Sequence, residues 1–90
     1  MALKTFYQFD LKILNERALI NNVGQVLIPD KIVFHDAKQV SILDYKTGNA
    51  QVSHQVQIND YALALEDMGY AVKEKVLVYV GEDLKVVLVD

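Results

Sequence analysis

The chain has 90 residues, 52% of them hydrophobic, and a formal net charge of −3. That length builds one small domain around one core, and that apolar content excludes a disordered chain. The absence of cysteine excludes disulfides, zinc–thiolate sites and iron–sulfur clusters, and the acidic balance excludes a broad basic surface that would grip nucleic acid nonspecifically.

The start of the chain lacks the charged-then-apolar layout of a secretory signal, and no apolar run approaches a membrane span. The expectation is therefore a soluble, cytoplasmic protein. Residues 5–14 alternate imperfectly, and a first strand is expected over 12–20, ending at the turn signal Asn21-Asn22-Val23-Gly24. A second strand is expected over 25–34, broken at Pro29, whose missing N–H suits an edge or a bulge. His35-Asp36-Ala37-Lys38 reads as a hairpin turn. Residues 39–45 read as a third strand, and its run Val40, Ile42, Leu43 suits a strand covered on both faces.

Gly48-Asn49 opens a loop over 47–52, and Ser53 can cap a helix over 54–68 that closes at Gly69. Ile58, Tyr61, Ala62, Leu65 and Met68 recur at helical spacing as one apolar stripe. Two β-branched strands over 72–80 and 84–89, joined at Gly81-Glu82-Asp83, form a closing hairpin. The expected fold class is α/β, a mixed five-stranded sheet with one main helix in the order β-β-β-α-β-β, all in a single domain over 1–90. One apolar stripe covers one face of a sheet. The other face is expected to be polar or to meet something outside the chain, such as a second copy in a homodimer.

The chemically informative residues are Asp30, directly after Pro29, Asp44, and Lys46 two positions later. Strand alternation sends Asp44 and Lys46 to one face and Tyr45 to the other. The Tyr45 side chain can then join the core while its carbonyl stays available to a metal. Carboxylates are the hard oxygen donors that divalent cations take. A lysine ammonium beside such an ion can orient or deprotonate an attacking water and steady the charge that grows on a phosphate. Singly, each aspartate reads as a turn or cap residue, and Asp44 with Lys46 as a surface ion pair. Turned together into a sheet-end cleft, they are costly unless paired or metal-bound.

Glu16 is a third acidic candidate if the first two strands form a meander, and a solvent-facing strand glutamate otherwise. Gln57 and Tyr61 stand four apart on one helix face. Gln57 can hydrogen-bond a site residue or a substrate strand and Tyr61 can hold the local network, or both can serve as ordinary surface and core residues. His35, in a turn, and His54, at a helix start, both read as solvent-exposed, and neither is assigned a role.

Glu16, Pro29-Asp30, Asp44-Tyr45-Lys46-Thr47-Gly48 and Gln57-x-x-x-Tyr61, in this order over about residues 14–80, resemble the PD-(D/E)XK nuclease superfamily. Within it they look like the RecB-like nuclease domain of UvrD/RecB-type helicase–exonucleases. The wording around Asn15-Glu16-Arg17, Met68-Gly69-Tyr70 and Val78-Tyr79-Val80 is similar to Bacteroidetes versions. The resemblance implies a restriction-endonuclease-like core and Mg²⁺- or Mn²⁺-dependent hydrolysis of DNA in repair or recombination. It implies Asp30, Asp44 and the Tyr45 carbonyl as metal ligands, Glu16 assisting at the metal, and Lys46 positioning or activating water, with Gln57 and Tyr61 as the motif that follows. DNA and the helicase domains of a parent protein are the implied partners. RecB-like nucleases carry a metal-binding histidine upstream of the first aspartate, and residues 1–29 hold none. The expectation is thus a nuclease core belonging to a larger helicase–nuclease, with a catalytically silent nuclease-fold module that binds DNA or a protein as the alternative.

Overall fold

The computed structural model describes residues 12–90, so the imperfect alternation over 5–11 lies outside the described residues. Among the described residues, the strands are β1 (Lys12–Asn15), β2 (Leu19–Ile20), β3 (Val26–Leu27), β4 (Lys31–Phe34), β5 (Gln39–Thr47), β6 (Ala71–Val80) and β7 (Lys85–Leu88), with one helix, α1 (Val52–Asp67), between β5 and β6. Five of the strands form a mixed sheet in the order β1-β4-β5-β6-β7, in which only β5 and β6 run parallel. The α/β class and the mixed five-stranded sheet with one helix are as expected from the sequence.

The first two expected strands are each divided. The chain leaves the main sheet after Asn15 and makes a small separate sheet of β2 and β3, with Leu19 opposite Leu27. It then rejoins the main sheet as β4. Pro29, which cannot donate to a ladder, marks the point of re-entry and is fully buried. Glu16 marks the point of departure: its φ of 50° is left-handed, and its N–H donates to the Asp30 carbonyl at 3.0 Å. A non-glycine residue at such a φ costs roughly 1–2 kcal/mol, which the cross-strand bond helps to offset.

The helix begins two residues earlier than expected. Its N-cap is Gln51 rather than Ser53, and no side chain caps it. Its end is defined by Gly69, at φ 98°, whose N–H bonds the Glu66 carbonyl while the Tyr70 N–H bonds that of Leu65. These are the two bonds of a Schellman closure, and they need a residue that accepts left-handed backbone. The stripe is Ile58, Tyr61, Ala62, Ala64 and Leu65. Met68 lies beyond the last helical residue and is exposed, not part of the stripe.

One irregularity decides which strand residues meet this helix. Along the β5–β6 pair, Val40 opposes Val72 but Ser41 opposes Glu74, so Lys73 is an unpaired bulge residue in β6. Strand side chains alternate with period two, and one extra residue therefore inverts the faces beyond it. Val72 faces the helix before the bulge. After it, Leu77 and Tyr79 do so, and Val76 and Val78 face away. The helix-side core contains Leu19, Ile32, Val40, Ile42, Ile58, Leu65 and Leu77. Fully burying each such side chain is worth about 1.5–3 kcal/mol.

The opposite face is apolar, and its central residues Val33, Leu43, Val76 and Val78 are fully buried. The middle of this face is therefore neither polar nor open to solvent. Tyr45 projects to this face but is 39% exposed, so its ring does not enter the core as expected. Among the described residues, no helix is long and apolar enough to cross a membrane.

Candidate active site

The site forms where β4 begins and β5 ends. Asp44 and Lys46 follow Val40 and Ile42 on the helix-facing side of β5, as alternation predicts. Asp30 stands at the re-entry point before β4. The two aspartates hold each other across the strand ends. The Asp30 N–H donates to Asp44 Oδ1 at 2.9 Å, and the Tyr45 N–H donates to Asp30 Oδ2 at 2.7 Å. Each carboxylate thus extends the ladder of the neighbouring strand by one rung.

Lys46 Nζ lies 3.2 Å from Asp44 Oδ2 and also donates to Gln57 Oε1 on the helix. Gln57 stands one turn before Tyr61 on the same helix face, beside its phenol. Asp44 and Gln57 thus hold the lysine from two sides.

The electrostatics follow from burial. Asp44 is 3% exposed. Its pKa is raised above the ordinary carboxylate value, chiefly because burial disfavours its charge. The Asp30 charge raises it further, while the Asp30 N–H and Lys46 act in the opposite direction. Tyr61 is pushed up to about 12, first by burial and then by the Asp44 and Asp30 charges, so it is a neutral donor at any physiological pH. Two crowded carboxylates, one of them buried, form a place where a cation lowers the energy.

Glu16 is joined to Asp30 through the backbone and lines with it a shallow recess that also includes Tyr45. Its side chain is exposed. Among the described residues, no three His, Cys, Asp or Glu side chains gather into a group that could hold a metal. The carboxylates that meet at the centre are thus Asp30 and Asp44, which fit a hard divalent cation in kind but only begin its coordination shell.

Both histidines depart from expectation, being half-buried and bonded. His54 Nδ1 meets the Tyr79 hydroxyl at 2.9 Å, and Tyr79 is the strand neighbour of Lys46. His35 Nε2 meets the Ser41 hydroxyl at 2.6 Å. Burial, then Lys73, lowers the His35 pKa against the opposing pull of Glu74 and Asp36. Both bonds join residues distant in sequence or hidden by a turn, and no spacing rule marks them. No protein-family model matches this chain, and no curated protein matches it either.

Proposed function

We propose that this domain is a metal-dependent deoxyribonuclease, hydrolysing phosphodiester bonds of DNA in the manner of a RecB-like exonuclease core. The observation that carries the reading is the Asp30–Asp44 pair with the Lys46 ammonium 3.2 Å from Asp44. Asp30, Asp44 and the Tyr45 carbonyl would hold Mg²⁺ or Mn²⁺, with Glu16 reaching in from the neighbouring recess. The ion would polarise the phosphate and lower the pKa of a bound water. Lys46, steadied by Gln57, would orient that water and stabilise negative charge on the phosphoryl oxygens. Tyr61 would hold the Gln57 amide so that its oxygen keeps facing Lys46. DNA is the substrate in this reading, and helicase domains of a parent protein are the partners.

The test is incubation of single- and double-stranded DNA with Mg²⁺ or Mn²⁺ beside the Lys46→Ala variant. Cleavage that needs metal and falls about 10²-fold or more in the variant supports the reading. Metal-dependent cleavage that survives the substitution refutes the role of Lys46. The lack of a third clustered acidic or histidine ligand among the described residues favours one rival, a silent nuclease-fold module that binds DNA or a protein. Calorimetric Mn²⁺ titration separates them, because a functional pair binds the ion and a silent one gives no saturable heat.

A further inference from the structure

A cavity of about 380 Å³ opens beside the site, between the loop after β5 and the β6–β7 turn, lined in part by Gly48, Asn49, Tyr79, Gly81, Asp83 and Lys85. It adjoins the site through the chain on two counts: Gly48 follows Lys46 by two residues, and Tyr79 is the register partner of Lys46 on the adjacent strand. Its inner wall is fixed, because the Tyr79 hydroxyl is bonded to His54 Nδ1, with the two rings 5.6 Å apart.

We propose that this cavity is a nucleotide subsite, holding one nucleotide of the strand whose neighbouring phosphodiester lies at Lys46. This rests on the nuclease reading above. The volume falls in the range of small-molecule sites and is far larger than a lone phosphate requires. The lining carries one ammonium, one carboxylate and one amide. Lys85 suits a phosphate. Asp83 would repel a bare anion but accepts hydrogen bonds from a base amino group or a sugar hydroxyl, and Asn49 can both donate and accept. A ligand with an anionic end and a donor-rich body satisfies all three, and a nucleotide is such a ligand.

Gly81 adds an independent mark. It is not in the left-handed region. A Cβ there would approach nothing closer than the Asp83 carbonyl at 4.0 Å. Neither backbone conformation nor packing requires glycine at this position, and its effect is to leave room in the cavity wall.

The experiment maps amide chemical shifts of the full chain, without divalent ions, on titration with deoxyadenosine monophosphate and, separately, with inorganic phosphate. The nucleotide is expected to shift Gly48, Asn49, Gly81 and Lys85 saturably, and phosphate alone to shift mainly Lys85 and more weakly. Lys85→Ala should weaken nucleotide binding roughly tenfold, the worth of one charge-assisted hydrogen bond. Gly81→Val should abolish the response while leaving the circular dichroism and thermal midpoint unchanged. Shifts absent from these residues, equal responses to both probes, or binding untouched by Lys85→Ala would overturn the proposal. Nucleotide binding here without DNA cleavage in Mn²⁺ would sink the nuclease reading instead, and cleavage without these shifts would sink the subsite alone.

Discussion

Replacing Asp44 by asparagine changes one charge and almost no volume at the centre of the site. The side chain is 5% exposed, receives the Asp30 N–H at 2.9 Å and faces Lys46 at 3.2 Å. Asparagine keeps an acceptor for the Asp30 N–H and loses the pair with Lys46. Lys46 retains Gln57 and, at 20% side-chain exposure, reaches water, so no buried cation is stranded. What is gained is relief from burying a charge next to the Asp30 carboxylate. Asp44→Asn should therefore stabilise the metal-free protein at pH 7 by about 1 kcal/mol, or about 4–8 °C in thermal midpoint for a domain of this size. The sign with pH follows from linkage. The folded-state pKa of Asp44 lies above the ordinary 3.8, so the folded protein binds this proton more readily than the unfolded chain. Wild type then gains stability relative to the variant as pH falls through the raised pKa, and the gap closes below 3.8. Urea unfolding of both proteins from pH 7 downward measures the difference directly. A variant less stable than wild type at pH 7, or a gap that persists unchanged below 3.8, would refute the account.

Tyr61→Phe removes the hydroxyl beside Gln57 and should cost no more than about 1 kcal/mol in urea unfolding. If the proposed function holds, the variant should also slow DNA cleavage with no change in Mn²⁺ affinity. Gly69→Ala forces a side chain into left-handed backbone at φ 98° and should destabilise by about 1 kcal/mol or more, although nothing would touch the added methyl. Deleting Lys73 removes the bulge and leaves a regular ladder in which Val72, Leu77 and Tyr79 still face the helix and Val76 and Val78 still face away. Cooperative thermal unfolding is expected to persist, and a deletion variant that loses it would show that the bulge itself is needed to seat the strand.

The pairing of Asp44 with Lys46 was legible from alternation alone, because both lie on one uninterrupted strand. The helix was legible from its stripe and from Gly69, and the break in the second strand from Pro29. The excursion through β2 and β3 was not, since it depends on Glu16 adopting a backbone conformation that its residue type disfavours. Nor was the inversion at Lys73: the run from Val72 to Val80 is apolar at both parities after the bulge, so no pattern reveals which parity faces the helix. Met68 fitted the helical spacing but falls after the last turn, where spacing no longer predicts a face. The partners of His54 and His35 depended on tertiary approach, to Tyr79 from 25 residues away and to Ser41 across a tight turn.

The reciprocal bonds between Asp30 and Asp44 bear on how the molecule comes together in time. The two residues are 14 apart, and Lys46 is 11 from Gln57, so the acidic pair and its lysine are joined by contacts short in sequence. Short loops close with little entropy loss, and hairpins form within about 1–10 μs. The parallel partner strand β6, by contrast, arrives only after the whole helix has intervened, and parallel pairing of that kind is slow. The charged centre therefore meets as the β4–β5 hairpin closes, ahead of the strand that completes its wall, and the same two rungs that present the carboxylates also hold that hairpin shut while the rest of the sheet is being assembled.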